Sequence, residues 1–153
     1  MCYFLGIMVK EAKTGQSGRY EFFDEITSDV IFEAYGKDLK EVFSNAAEAM
    51  STMVCKLDQI SPIKDIVIEV DGDSLEDLMV NWLSALLAYV DIEEMFFSKF
   101  LIVDINDTHL KAIVSGESIT PEKGETVVKA VTYYQFKFEK TAEGYMTRIS
   151  LDI

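Results

Sequence analysis

The sequence predicts an α+β domain, two helices packed on a mostly antiparallel sheet, in the order β-β-α-β-α-β-β-β-β. Three observations carry that expectation. Two segments repeat apolar residues at spacings of three and four behind recognisable caps, and the rest of the chain offers β-rich runs separated by turn residues. The third is size: 153 residues, 49% of them hydrophobic, can form a single core without disulfide or metal staples. Residues 1–18 read as a flexible N-terminal extension, with Lys, Thr, Gly, Gln and Ser concentrated between Lys10 and Gly18, and residues 19–153 as a single domain. No internal repeat or low-complexity tract stands out.

In chain order, Tyr20 to Gly36 supplies the opening β structure. Phe22 and Phe23 anchor one end and Val30 to Ala34 the other, and between them Asp24, Glu25, Thr27, Ser28 and Asp29 form a polar patch where a buried strand would carry apolar side chains. Asp38 then caps a first helix, with Glu41 three residues on, and Leu39, Val42, Phe43, Ala46, Ala47, Met50, Met53 and Val54 make its apolar face. Its methionines read as core gap-fillers ahead of a binding surface. Ile63 to Val70 reads as a strand after Ser61-Pro62, and Asp71-Gly72-Asp73 turns the chain. Ser74 caps a second helix with Asp77 at its third position, and a broad stripe from Leu75 to Val90 marks it as the central core helix, with Asn81 and Ser84 facing solvent. From Met95 onward the period becomes that of strands: Phe96 to Ile105, a turn at Asn106-Asp107, and Leu110 to Gly116 as hairpin partner. Glu117 to Thr126 is the longest loop. Val127 to Glu139 and Tyr145 to Ile153 complete the sheet across a turn at Ala142-Glu143-Gly144.

The formal net charge is -13, which disfavours unaided binding to nucleic acid or an anionic membrane and points to a cation or a basic protein as partner. No stretch reaches the length of a membrane span. The two cysteines, Cys2 and Cys55, have no paired spacing, so neither a disulfide framework nor a zinc site is expected and a reducing cytoplasm is. His109 is the only histidine, which leaves almost no material for a histidine-based catalytic triad. Asp152 stands one residue before the last residue, Ile153. If the final strand lies near the opening stretch, Asp29, Asp152 and an oxygen of Ile153 converge, and such a cluster repels itself unless a hard cation, calcium or magnesium, neutralises it. Lys129 interrupts an apolar run and reads either as an outward strand lysine or as a cation set beside the acids or offered to a phosphate.

Several stretches together resemble the archease family. Asp24-Glu-Ile-Thr-Ser-Asp29 stands where that family has an Asp-His-Thr-Ala-Asp motif, and Ala34-Tyr-Gly36, Asn45-Ala-Ala, Gly72-Asp-Ser-Leu-Glu-Asp-Leu, Asn81-Trp-Leu, Phe97-Ser-Lys-Phe100, Gly116-Glu117, Val128-Lys-Ala-Val-Thr-Tyr133 and Leu151-Asp-Ile153 follow in order. The match runs from about Tyr20 to the last residue. The resemblance implies a protein that is not itself an enzyme but activates an RtcB-type RNA-splicing ligase in tRNA splicing, promoting its guanylylation and multiple turnover. It further implies a divalent cation, calcium in the family, held by Asp29, Asp152 and Ile153, with Lys129, Asp24 and Glu117 as candidate contacts to the ligase and RNA met only through that ligase. Glu25 replaces the family's usual His and Ser28 its Ala, so the patch is more acidic than the family pattern. Two rivals remain from the residues alone: a general chaperone or adaptor using the methionine-bearing helix, and a metal-dependent phosphoester hydrolase built on the same acids.

Overall fold

The computed structural model describes residues 18–26 and 29–153, those at 24–26 by their backbone alone. The expected extension therefore lies outside the described residues except for Gly18. The elements are β1 (Tyr20–Ile26), β2 (Asp29–Gly36), α1 (Leu39–Val54), β3 (Lys64–Asp71), α2 (Leu75–Glu93), β4 (Met95–Ile105), β5 (His109–Ser118), β6 (Ala130–Thr141) and β7 (Gly144–Asp152). All strand pairings are antiparallel, as expected, but the strands divide into two sheets, of order β1-β2-β7-β6 and β3-β5-β4. The chain order could not announce that division, because β7 returns across the whole molecule to pair with β2.

Both helices are entered by the same device. Asp38 accepts from the Glu41 amide at 2.9 Å while the Glu41 carboxylate accepts from the Lys37 amide at 2.6 Å. At α2, Ser74 accepts from the Asp77 amide at 3.2 Å and the Asp77 carboxylate from the Asp73 amide at 2.9 Å. Each cap satisfies amides the helix leaves open and contributes about 1 kcal/mol. Each junction is then closed by an asparagine of the helix bonded to the preceding strand: Asn45 Nδ2 donates to the Tyr35 carbonyl at 2.7 Å, and Asn81 Nδ2 to the Asp71 carbonyl at 2.8 Å. Asn81 is thus tied to the backbone rather than simply facing water. The glycines ending the strands fit the same plan, since a Cβ on Gly36 would lie 2.3 Å from the Val42 amide nitrogen and one on Gly72 2.6 Å from that of Leu78. A strand–cap–helix unit is therefore repeated, with the same spacing, in a sequence that shows no overt repeat.

The core lies between the sheets and the helices. α1 packs on β2 of one sheet and β4 of the other, and α2 on β6 and β3. Trp82 is fully buried at the centre and donates its indole N–H to the Phe43 carbonyl at 3.0 Å, locking the helices together. Met50 and Met79 are buried in this core. Among the described residues no helix is long and apolar enough to cross a membrane.

One boundary differs from expectation in an informative way. β6 begins at Ala130 rather than Val127, and the chain ahead of it is fastened elsewhere: Glu125 N–H donates to the Val54 carbonyl at 3.0 Å and Thr126 N–H to that of Met53 at 2.9 Å. These bonds satisfy carbonyls at the end of α1 that have no intrahelical partner. The loop is fastened to a helix end, which no local pattern could reveal.

Candidate metal centre

Where β2 and β7 lie side by side, their alternation sorts residues onto two faces. Phe32 and Ala34 of β2 and Ile149 and Leu151 of β7 join the core against the helices. The opposite face therefore carries Asp29, Ile31 and Glu33 from β2 and Asp152, Ser150 and Arg148 from β7. The register fixes which side chains meet: Asp29 is directly opposite Asp152, Ile31 opposite Ser150, and Glu33 opposite Arg148. Directly opposed residues hold their Cβ atoms about 4.5–5.5 Å apart, so the two carboxylates of the Asp29–Asp152 rung are close enough to repel.

Asp152 is also the point where three strands come together. On its other side it pairs with Ala130 of β6, and its carbonyl accepts the Lys129 N–H at 2.7 Å. Ile153 follows immediately. Carboxylate and main-chain oxygens are hard donors of the sort calcium or magnesium takes. Among the described residues no three His, Cys, Asp or Glu side chains converge. Two residues before Asp152 on the same face, the Ser150 hydroxyl is fully buried, and among the described residues it has no hydrogen-bond partner.

The remaining sequence candidates are placed as follows. Lys129 is exposed, in the extended stretch just ahead of β6, and is joined to the acid rung through its own amide. Glu117 lies on β5 in the other sheet and is engaged by Lys123 Nζ at 2.7 Å; its side chain is 16% exposed. The structure does not bring Glu117 to the acid pair by any ladder. The side chains of Asp24 and Glu25, and residues Thr27 and Ser28 altogether, lie outside the described residues. His109 sits at the start of β5, with Nδ1 2.6 Å from Asp71 and Nε2 3.0 Å from Glu69, both on β3. The Asp71 carboxylate chiefly, as hydrogen-bond acceptor, raises its pKa above the usual histidine value. It serves the second sheet and is not aimed at the acids. Cys55 is buried, and burial pushes its thiol up to about 12, which removes it as a nucleophile at neutral pH.

Sequence reasoning missed two features of this face. Ser150 could have been read from the alternation in Arg148-Ile-Ser-Leu-Asp152, which places 148, 150 and 152 together. The Arg148–Glu33 pair, at 2.8 and 3.0 Å, joins residues 115 apart in sequence and has no local signal.

Residues 20–153 match the Archease protein family. Protein archease of Methanosarcina acetivorans is 39% identical over 144 residues, covering 90% of this chain and 98% of that protein. Protein archease of Sulfurisphaera tokodaii is 37% identical over 138 residues, covering 88% and 99%. Among solved structures, the solution structure of Methanobacterium thermoautotrophicum protein 1598 superposes with a TM-score of 0.74 at 32% identity, over 89% of this chain and 99% of that one. A 2.0 Å crystal structure from Thermotoga maritima, described as an archease and possible chaperone, gives 0.61 at 17% identity over 85% and 94%, a likeness of fold.

Proposed function

The chain belongs to the archease family, and from that membership we propose that it activates an RtcB-type RNA-splicing ligase in tRNA splicing, as a protein partner and not as the catalyst. The observation that carries this reading is the Asp29–Asp152 rung, two like charges set opposite each other at the end of a ladder whose other charged rung is neutralised internally. Asp29 and Asp152 would hold a divalent cation, calcium by family and calcium or magnesium by donor chemistry, with an oxygen of Ile153. A cation held there would supply positive charge to an otherwise acidic edge.

This chain's own residues do the rest. The two carboxylates position an acidic edge, and Lys129 stands beside it in the chain as an exposed cation. A chain of net charge -13 complements the basic surface of an enzyme that grips RNA, which favours encounter and correct orientation. RNA is met through the ligase alone, and the setting is cytoplasmic. A chaperone role, as described for the Thermotoga maritima protein, would draw on the α1 methionines, of which Met50 is 1% exposed and Met53 partly buried.

Multiple-turnover RNA ligation by the RtcB-type ligase of the same organism tests the proposal. Turnover and ligase guanylylation should rise when the protein is added, and Asp29→Ala with Asp152→Ala should lose the effect while remaining folded. A fully active double variant removes the metal site from the mechanism; a ligase indifferent to the wild type removes the activator role.

A further inference from the structure

A cleft of about 690 Å³ opens between the C-terminal half of α2 and the segment 124–131 that leads into β6. Its floor is apolar, made by Leu87 and Val90 of α2, Phe96 of β4, and Val128 and Val131. Its lip is apolar too, and exposed: Val127 is 79% and Ile119 39% accessible. An apolar hollow with apolar rims, left open by the fold, has the form of a pocket for an anchoring side chain at a protein interface.

We propose that this cleft receives an apolar side chain of the partner ligase, carried on a segment with basic neighbours, while the acid rung is engaged. The inference rests on the activator reading and names a docking surface for it. Charge specifies the neighbours: Asp91 and Glu125 line the cleft, Lys129 is its one cationic lining residue among those described, and the whole chain is strongly acidic. Position ties it to the acids. Ala130 lines the cleft and is the ladder partner of Asp152, and the Lys129 amide is bonded to the Asp152 carbonyl. β6 is an edge strand, so a partner reaching over that edge meets the cleft on the helix face and the acid rung on the other. The wall is preformed, because Glu125 and Thr126 are bonded to the end of α1, and a preformed pocket does not charge the partner with ordering it.

The test is equilibrium binding of the full chain to the same-organism ligase with calcium present, read by fluorescence anisotropy. Val127→Glu puts a charge on the lip, and Ala88→Trp, at an exposed position of α2, fills the cleft from its rim. Each should weaken ligase binding at least tenfold and leave calcium affinity and thermal midpoint unchanged. Wild-type affinity in both variants, with Asp29→Ala still losing binding, overturns the cleft proposal and leaves the activator reading standing. No binding by the wild type overturns both. A concentration-dependent dimer that Val127→Glu dissociates assigns the cleft to a second copy of this chain and also overturns the proposal.

Discussion

Two rungs of the same ladder, four residue pairs apart, are built on opposite principles. At one, Glu33 faces Arg148, and the guanidinium donates twice to the carboxylate from a half-buried position, with side-chain exposures of 15% and 24%. At the other, Asp29 faces Asp152, and among the described residues no basic side chain makes an ion pair with either. The second sheet repeats the first principle, with His109 set between Asp71 and Glu69. At these two places the acids come with a basic side chain from the chain itself. An acid pair left without one is where an external cation has the most to gain, which is why the unneutralised rung and not the richer ion pairs marks the candidate site.

The largest expected effect breaks the comparison at the acid rung. If a cation occupies it, calcium at a thousandfold excess over its Kd stabilises the wild type by about 4 kcal/mol. Asp29→Asn should lose most of that gain, while its cation-free form is no less stable than the wild type because the opposed charges are relieved. Thermal unfolding with and without calcium reads both; an equal calcium-dependent rise in the two proteins would sink the site.

At the neutralised rung the outcome should invert. Arg148→Met leaves Glu33 a largely buried carboxylate held only by the Tyr35 hydroxyl at 3.0 Å, at a cost of about 2 kcal/mol in urea unfolding that calcium does not restore. Adding Glu33→Gln should recover most of it, and a single variant as stable as the wild type would show that this rung is not self-neutralising.

The smallest effect concerns His109. Its folded pKa is raised, so its contribution to stability is fully present below the unfolded value of about 6.5 and is lost as pH rises through the folded value. The urea midpoint of the wild type relative to His109→Gln should therefore narrow on going from mildly acidic to alkaline buffer. A gap that widens with pH would mean that Asp71 and Glu69 do not act on the imidazolium.

Much of the fold was legible because its signals are local. Asp38 with Glu41 and Ser74 with Asp77 announce both helices within four residues, and the apolar stripes need only their own period. The asparagine closures at Asn45 and Asn81 were not legible, since each depends on a carbonyl ten residues back being brought alongside by the cap. The anchoring of the stretch ahead of β6 was not legible for the same reason: the amides of Glu125 and Thr126 are bonded to carbonyls some seventy residues earlier. At the candidate site, residue chemistry and family resemblance singled out Asp29, Asp152 and Ile153, and Ser150 was overlooked although its alternation with Asp152 was visible.

By itself the sequence determined the element types, their order, the caps, the acidity of the chain and the identity of the acids worth watching, because each is a property of composition or of neighbours a few residues apart. Only the tertiary structure decided that β7 crosses the molecule to lie against β2 in the register that sets Asp29 opposite Asp152 and Glu33 opposite Arg148. A slip of one residue would have turned each of those side chains to the other face. That register is held by Phe32, Ala34, Ile149 and Leu151 packing into a core shared with both helices, a condition on the whole chain at once and not on any stretch of it.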